Sequence, residues 1–380
     1  MLEIFLIMVI SVLMVGILIG VTPYIVRRNI HFGVMLPESA NELEITKRWK
    51  KQFLMWSLTM SVLGLLPMFA GLFLDLDEEG LANHVAISGT VVLAIIGIVQ
   101  AVMYFHFHYQ AKRLKQDRFS SEEVNRDARI MVSMDFHQQK TTVSNVWFVL
   151  VGGLIILVTA AFPFMMYDQI PDVIPVNWGF DYVSTFREKS PLVFMAVPAL
   201  QLGILVIFIF TNYAFKKAKQ VIRPQDAKRS MEQNIRFRQA QSMFLLVMGI
   251  FTLLITGCIQ FMMAFAVEDG SWIALPSIGM VVFALFGTIY LAWKYGQGGE
   301  RYKSKKSTKN INNDFQMVDD DQFWKWGMLY YNPTDPAVFV EKRFGIGMTI
   351  NFARPVAWLM VLGILAFTIG TIVISLAMAN

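Results

Sequence analysis

The sequence predicts an all-α polytopic membrane protein with about eight transmembrane helices and a small cytoplasmic β-rich segment before the last helix. Of its 380 residues, 55% are hydrophobic and only 16% are charged, whereas soluble domains carry about 25% charged residues. Eight apolar runs are long enough to cross a bilayer core, which takes roughly 20 residues. Lys and Arg concentrate in alternate loops. This composition excludes a disordered chain, a disulfide scaffold and a conventional soluble enzyme.

The eight apolar runs are the predicted transmembrane helices. They cover approximately residues 2–26, 52–74, 85–107, 145–166, 191–214, 240–266, 272–293 and 354–378. The N-terminal part of the first run carries Glu3 and no Lys or Arg, the run has no small-residue cleavage site, and its apolar stretch is too long for a signal peptide. We therefore expect a membrane anchor. Only a short acidic link at Glu268 and Asp269 separates the sixth run from the seventh, which predicts a tight helical hairpin.

The distribution of positive charge predicts the orientation in the membrane. The segments 27–51, 108–144, 215–239 and 294–354 hold 6, 7, 8 and 10 Lys and Arg residues, which is 31 of the 33. Because cytoplasmic loops carry the excess of Lys and Arg, we expect these segments inside a bacterial plasma membrane and both termini outside. The expected partners are the lipid bilayer and the anionic lipids of its inner leaflet. No nucleic acid partner is expected, because the pI of about 9.1 reflects this topology.

The same features predict the domain organisation. The predicted parts are the first three transmembrane helices (1–107), a basic cytoplasmic loop (108–144), a helix, an outer loop and a helix (145–214), a cytoplasmic loop with the helical hairpin (215–293), a flexible basic linker (294–314), a cytoplasmic unit (315–355) and the last transmembrane helix (356–380). The loops 108–144 and 215–239 contain few helix breakers, so we expect them to extend the adjoining helices. The linker stretch Gly296–Asn313 combines Gly, Lys, Ser and Asn without large apolar residues, which is typical of a flexible chain.

Residues 315–355, named here the β-rich unit, are predicted to form short strands. Leu329–Tyr331 and Ala337–Val340 are strand-like, and the Asn332–Pro336 segment between them is a strong turn signal. Phe344–Phe352 offers a third extended segment. For the aromatic residues of the unit we favour a small core or a position at the lipid headgroups over a dedicated ligand pocket. These aromatic residues are Trp324, Trp326, Tyr330 and Tyr331.

A short sequence in the first loop, residues 27–51, is similar to part of the β-rich unit. His31-Phe32-Gly33-Val34 matches Arg343-Phe344-Gly345-Ile346 with conservative differences, and each lies next to a predicted span. Four residues are too few to establish a repeat.

The 167–190 loop is the most distinctive segment on the predicted outer side. Pro171 and Pro175 force an extended backbone, and Trp178, Phe180 and Tyr182 supply aromatic surface. Such a segment suits an interfacial anchor with Trp at the headgroups or a stiff ligand-binding surface. Composition alone favours the anchor.

The core of this loop resembles a known family. Its P-D-x-I-P-x-x-W pattern, directly after a span, resembles the domain of unknown function 1648 of SdpI-type bacterial membrane immunity proteins. The first loop is loosely similar to another stretch of those proteins, through Asn29, Gly33, Val34 and Pro37. SdpI-type proteins protect against a secreted peptide toxin and can signal its presence. The family usually has His at the position of Asn177, and its downstream Gly and Asp are out of register with Gly179 and Asp181. The resemblance implies a ligand-binding set made of Pro171, Asp172, Ile174, Pro175, Asn177, Trp178 and Asp181.

Trp324–Pro355 closely resembles a second uncharacterised bacterial domain, the domain of unknown function 5808. The resemblance consists of a W-x-x-G-x-x-Y-Y-N-P-x-D-P run followed by a K-R-F-G-x-G-x-T-x-N-F run. It implies that the functional residues of the unit are Trp324, Gly327, Tyr330, Tyr331, Asn332, Pro333, Asp335, Pro336, Lys342, Arg343, Gly345, Gly347 and Asn351.

The chain contains no recognisable catalytic motif, so no enzyme activity, catalytic residue, metal site or cofactor is expected. The leading hypothesis is a non-enzymatic protein that senses, or gives immunity to, a secreted peptide or envelope stress. The 167–190 loop would meet a peptide ligand outside, and the β-rich unit would dock a cytoplasmic protein partner. The alternative is a transporter or lipid-handling protein without proton coupling, because the spans lack ionisable residues between their ends. Its path would be lined by Gln201, Asn212 and Gln260.

Overall fold

The computed structural model describes residues 2–119, 140–178, 184–219, 227–303 and 319–379. This part of the chain is mostly helical, and eight of its helices are long and apolar enough to cross a membrane. Small β segments lie between them. The predicted helical architecture with a small β-rich segment is confirmed at this level. Insertion into a membrane, a bacterial source and the orientation of the termini remain predictions.

The helices follow the predicted apolar runs closely. Within the described ranges they are α1 (Leu2–Ile25), α2 (Glu44–Leu63), α3 (Leu65–Ala70), α4 (Glu78–Arg118), α5 (Asn145–Met165), α6 (Pro191–Lys217), α7 (Ala227–Ala264), α8 (Ala274–Tyr295) and α9 (Pro355–Ala379). Helix α3 continues α2 after a break at Gly64, so the two together make the second candidate span. Helices α4 and α7 extend beyond their apolar stretches into the basic segments, as their low content of helix breakers predicts.

The helices form two groups. Helix α1 packs against α2 and α4, whereas α5, α6 and α7 pack against one another. Helix α8 contacts both α1 and α7 and therefore joins the groups. Small residues permit the close approach of α1 and α2, because a Cβ atom at Gly16 would lie 1.9 Å from Ser61 Oγ.

Polar side chains within the second group cross-link its helices. The Nε2 of Gln201 donates to Leu253 O at 2.9 Å, and the Nε2 of Gln260 donates to Phe194 O at 2.8 Å. Asn212 Nδ2 donates to the carbonyl oxygen just before α5, at 2.9 Å. All three side chains are fully or almost fully buried. They hold helices together, as polar residues do within membrane bundles.

The last helix, α9, lies at the edge of the second group and has its main helix contact with α6. It begins directly after the β-rich unit and its opposite end lies beside Val173–Trp178. The unit and the 167–190 loop therefore lie at opposite ends of the helices. We name these the basic end, which carries the unit, and the acidic end, which carries the loop.

Four antiparallel hairpins connect the helices in the described part of the chain. Strand β1 (Ile30–His31) pairs with β2 (Val34–Met35), and β3 (Val173–Trp178) pairs with β4 (Ser184–Glu188). In the β-rich unit, β5 pairs with β6 and β7 pairs with β8. Their bounds are Trp324–Lys325, Leu329–Tyr330, Phe339–Glu341 and Met348–Ile350.

The pairing in the β-rich unit differs from the simplest interpretation of its sequence. The turn at Asn332–Pro336 does not connect the two strands of a hairpin. Strand β6 before it pairs with β5, and strand β7 after it pairs with β8. The Oδ1 of Asn332 accepts from the N–H groups of Thr334 and Asp335, at 2.9 and 3.3 Å. These side-chain bonds stabilise a local turn without strand pairing.

The beginning of the predicted flexible linker is a packed turn. Gln297 is almost fully buried, and its Nε2 donates to the carbonyl oxygens of Lys342 and Gly347 at 3.2 and 2.9 Å. Its Oε1 accepts from the Gly347 N–H at 2.9 Å. Gln297 is thus bound to the β-rich unit, in contrast to the predicted flexible linker. The composition of the linker does not reveal this contact, because it depends on backbone groups of a distant segment. The rest of the linker, from residue 304, lies outside the described residues.

Candidate functional site

The 167–190 loop forms the β3–β4 hairpin at the acidic end, and several of its predicted ligand-binding residues are structural. Ile174 is completely buried against residues that include Phe194 and Met263. The Nε1 of Trp178 donates to the carbonyl oxygens of Val267 and Glu268 at 3.2 and 3.1 Å. The hairpin is therefore fastened to the link between α7 and α8.

Some of the predicted ligand-binding residues are exposed and others are buried. Pro171, Asp172 and Val173 are exposed, and the Asp172 carboxylate is 3.1 Å from Lys189 Nζ while remaining 93% exposed. Pro175 is buried. Asn177 lies on β3 next to a bulge in the pairing, and Asp181 lies outside the described residues.

At the basic end, the motif residues of the β-rich unit hold the unit together. Asn351 is completely buried and donates to the carbonyl oxygens of Asn332, Asp335 and Ala337, at 2.9 to 3.2 Å. Its Oδ1 accepts from the Asn332 N–H at 3.0 Å. The side chain at position 351 must be an amide, because this network uses both its NH₂ donor and its carbonyl acceptor.

Asp335 connects the unit to helix α6. Its Oδ2 accepts from Tyr330 Oη at 2.9 Å and from Lys219 Nζ at 2.6 Å. Burial alone would raise the pKa of Asp335, but hydrogen bonds from Lys219, the Ala337 N–H and Tyr330 lower it below its usual value. Burial also raises the pKa of Tyr330. Asp335 is therefore ionised and Tyr330 protonated at neutral pH, which keeps the bond between them.

Glu341 joins the unit to both groups of helices. Its carboxylate forms a buried ion pair with Arg27, directly after α1, and accepts from Asn234 Nδ2 of α7 at 2.9 Å. Burial would lower the pKa of Arg27, but the nearby carboxylates of Glu341 and Glu300 raise it. Arg27 therefore keeps its positive charge over the whole physiological range of pH.

Arg343 docks the unit on the first loop. Its guanidinium pairs with Asp320 and Asp321 and lies 5.1 Å from the centre of the Trp324 ring. It also donates to Gly33 O at 2.8 Å.

Helix α4 contributes to the same contact through Lys115, whose Nζ is 2.5 Å from Asp321 and 2.6 Å from Asp319. Burial would raise the pKa of Asp321, but Arg343 and Lys115 together lower it. Asp319 and Asp321 therefore hold the unit to α4.

The two similar four-residue segments meet in one aromatic cluster. Phe32 and Phe344 occupy matching positions, and their ring centres lie 5.5 and 6.1 Å from that of Phe53. Both also contact Tyr104, at 6.3 and 4.4 Å. The first loop and the β-rich unit therefore insert equivalent side chains between α2 and α4.

A cleft of about 710 Å³ opens between the first loop, α4 and the β-rich unit. Trp326, Tyr331 and Trp358 line it and are 63%, 47% and 53% exposed. Lys112 and His108 supply polar groups on the α4 side. Trp324 and Tyr330 are buried in the small core of the unit, and Trp324 also forms part of the cleft wall.

The remaining motif residues occupy the surface or the backbone turns of the unit. Gly327 has a φ of +70° and packs against Gly33, and buried Gly347 bonds with Gln297. Gly345 has a φ of +92° with no atom near the position of a Cβ. Pro333, Pro336 and Lys342 are exposed.

Three important residues of this junction were missed by sequence analysis. Arg27 and Asn234 lie in segments that the sequence predicts as basic loops, yet both are buried, as is Glu341. A signal for Glu341 exists, since an acidic residue follows the apolar strand residues Phe339 and Val340. Nothing local identifies its partners.

Comparison with known proteins supports part of the resemblance. A family model described as a family of unknown function, DUF5808, matches residues 333–358, which cover the second half of the β-rich unit and the start of α9. The matched segment includes Asp335, Glu341, Arg343 and Asn351, which make the contacts described above. No family match supports the resemblance of the 167–190 loop to SdpI-type proteins. The chain matches no curated protein and no solved structure.

Proposed function

We propose that the chain is a non-enzymatic integral protein of a bacterial plasma membrane that senses, or gives immunity to, a secreted peptide or envelope stress. The β3–β4 hairpin would face outside, and the β-rich unit would face the cytoplasm. The observation that carries the proposal is helix α9, which begins directly after the unit and whose far end lies beside β3. One rigid element therefore connects the two most distinctive segments.

Helix α9 is suited to transmit a movement of the β3–β4 hairpin to the β-rich unit. Its 25 residues make a rod of about 37 Å, and little of its apolar surface is buried by other helices. At its start, Arg354 donates from Nε to Asp335 O at 2.9 Å, next to Asn351 at the centre of the unit. A shift at the hairpin would move this network, and a packed polar network changes between discrete arrangements more readily than it deforms.

The aromatic cleft is the proposed binding surface for a cytoplasmic protein partner. Exposed Trp and Tyr residues, such as Trp326, Trp358 and Tyr331, are the types that dominate protein interfaces. The cleft lies between the unit and α4, so a movement of the unit would change its width. Binding of the partner would then depend on the state of the hairpin.

A survival assay tests the proposal. The chain is expressed in a bacterium that is sensitive to a secreted peptide toxin of the kind that SdpI-type proteins neutralise. We expect protection, and we expect Phe186→Ser, which alters a half-exposed ring of the hairpin, to abolish it at unchanged membrane abundance. Phe73→Ser is the matched control, since this exposed ring lies away from the hairpin. Absence of protection, or equal protection by both variants, would refute the proposal.

A labelling experiment tests the proposed orientation. The single cysteine, Cys258, is exposed and is first replaced by Ala. New cysteines are then placed in 75–80 and in 305–310. An impermeant reagent should label only the first set in intact cells, and labelling of both sets from one side would contradict the topology.

Two alternatives to sensing are transport of a polar solute and lipid binding, and transport has less support. Gln201, Asn212 and Gln260 would have to line a path, yet each bonds to a neighbouring segment of the bundle. An apolar groove between α6 and α9 favours contact with lipid instead.

A further inference from the structure

A groove of about 810 Å³ separates helices α6 and α9 and is closed at the basic end by strands β7 and β8. Its size lies within the range of about 300–1,000 Å³ that is usual for ligand pockets. Its walls are almost entirely apolar, and they include Gly203, Phe210, Ala214, Phe339, Ile350 and Gly363.

The groove exists because the two helices touch at one level and diverge at the next. A Cβ atom at Gly203 would lie 1.9 Å from the ring of Phe367, so the helices are in contact there. A Cβ atom at Gly363, one turn nearer the unit, would have no atom within 4 Å. The hydroxyl of Thr211 in the wall is already used, because it donates to Ile207 O at 2.8 Å. An acyl chain suits such a surface, because it is apolar and needs no hydrogen-bonding partner.

Positive charge lies where the groove reaches the unit. Lys217 comes three residues after Ala214 and seven after Phe210, so it shares their helix face, and it is exposed. Lys219 lies at the same place, with its backbone N–H donating to Phe339 O at 2.9 Å. Its Nζ pairs with Asp335, and Arg354 is also near. Among the described residues, Lys217, Lys219 and Arg354 therefore lie at this end of the groove together with the carboxylate of Asp335.

We propose that the groove binds one phospholipid with an anionic headgroup. Its acyl chain would lie between α6 and α9, and its phosphate would lie at Lys217. The apolar length of the groove accounts for the chain, and the charge at its end accounts for the headgroup. The site does not depend on the sensing function proposed above. The bound lipid would contact β7 and β8 and thereby stabilise the position of the β-rich unit.

The test uses the purified full-length protein in nanodiscs of zwitterionic lipid. Trace phosphatidylglycerol with a photoreactive group on its acyl chain is crosslinked, and the adducts are mapped by mass spectrometry. Phosphatidylcholine with the same chain is the comparison. We expect adducts in residues 199–215 and 360–367, with phosphatidylglycerol favoured about fivefold at low salt, the ratio expected for one lysine beside an anionic lipid. Equal adduct yields from the two lipids, or adducts spread evenly over all helices, would overturn the proposal.

Two pairs of variants locate the chain and the headgroup separately. Gly363→Leu fills the groove and should abolish most adducts there, whereas Gly370→Leu, on the same helix and equally free of nearby atoms, should not. Lys217→Gln should remove the preference for phosphatidylglycerol, whereas Lys216→Gln, on the opposite face of α6, should retain it. If each variant behaves like its control, the occupant is not this lipid.

Discussion

The carboxylate of Glu341 and the guanidinium of Arg27 form a buried ion pair between residues 314 positions apart in the chain. Arg27 follows the first helix, and Glu341 belongs to the β-rich unit. Because Glu341 also accepts a hydrogen bond from Asn234 of α7, one side chain connects the unit to both helix groups. The unit is thus a structural bridge across the basic end.

Removing this carboxylate should destabilise the protein strongly. Glu341→Ala leaves the buried Arg27 without its compensating charge, and breaking a buried ion pair in this way costs about 3–5 kcal/mol. Denaturant unfolding of the purified protein in detergent measures the loss. Glu44→Ala is the control, because Glu44 pairs with Lys47 at the surface and is 88% exposed. Its loss should stay below about 1 kcal/mol, and similar losses for the two variants would show that the buried pair contributes little.

The contact of Gly33 with Gly327 should not tolerate a methyl group. Both glycines have positive φ, and a Cβ at Gly33 would lie 2.4 Å from Tyr104 Oη and 2.6 Å from Gly327 Cα. Gly33→Ala should therefore separate the first loop from the unit and increase trypsin cleavage at Lys325. Gly345→Ala introduces similar backbone strain at a φ of +92° but meets no atom within 4 Å. If it causes the same cleavage, strain and not the contact explains the effect.

His31 should make the stability of the protein depend on pH. Burial, assisted by nearby Lys50, lowers the pKa of His31 to about 3, compared with about 6.5 in an unfolded chain. The unfolded state therefore binds a proton first, so the contribution of His31 is complete above pH 6.5 and is lost as the pH falls toward 3.

The measurement is the free energy of unfolding between pH 7 and 4.5. The wild-type slope should approach about 1.4 kcal/mol per pH unit, and His31→Phe should reduce it. His106→Phe, which alters an exposed ring, should leave it unchanged. A slope unaffected by His31→Phe would mean that another group titrates.

Trp178 should hold the β3–β4 hairpin chiefly through its indole N–H. Trp178→Phe keeps a ring but loses the bonds to Val267 O and Glu268 O, at about 1 kcal/mol. Hydrogen exchange should rise in 173–178 and 265–270. Trp272→Phe, at a 72% exposed indole, should cause no such change. Unaltered exchange in the first variant would show that packing alone fastens the hairpin.

Hydropathy and charge determined the helices of this protein. The eight apolar runs correspond to eight long helices in the described residues. A helix forms from residues within its own segment, because its backbone hydrogen bonds are made there. The charged ends of α4 and α7 were predictable for the same reason. The Asn332–Pro336 turn was likewise local, since the side-chain oxygen of Asn332 bonds to groups two and three residues ahead.

Only the tertiary structure decided which distant groups meet. Nothing near Glu341 in the sequence specifies Arg27 or Asn234, and nothing near Gln297 indicates that it would bond to Gly347. Strand β6 pairs with β5 although a turn signal follows it on the other side. A strand or a buried polar group is satisfied by whichever partner the folded chain brings near, so local patterns identify the group but not its partner.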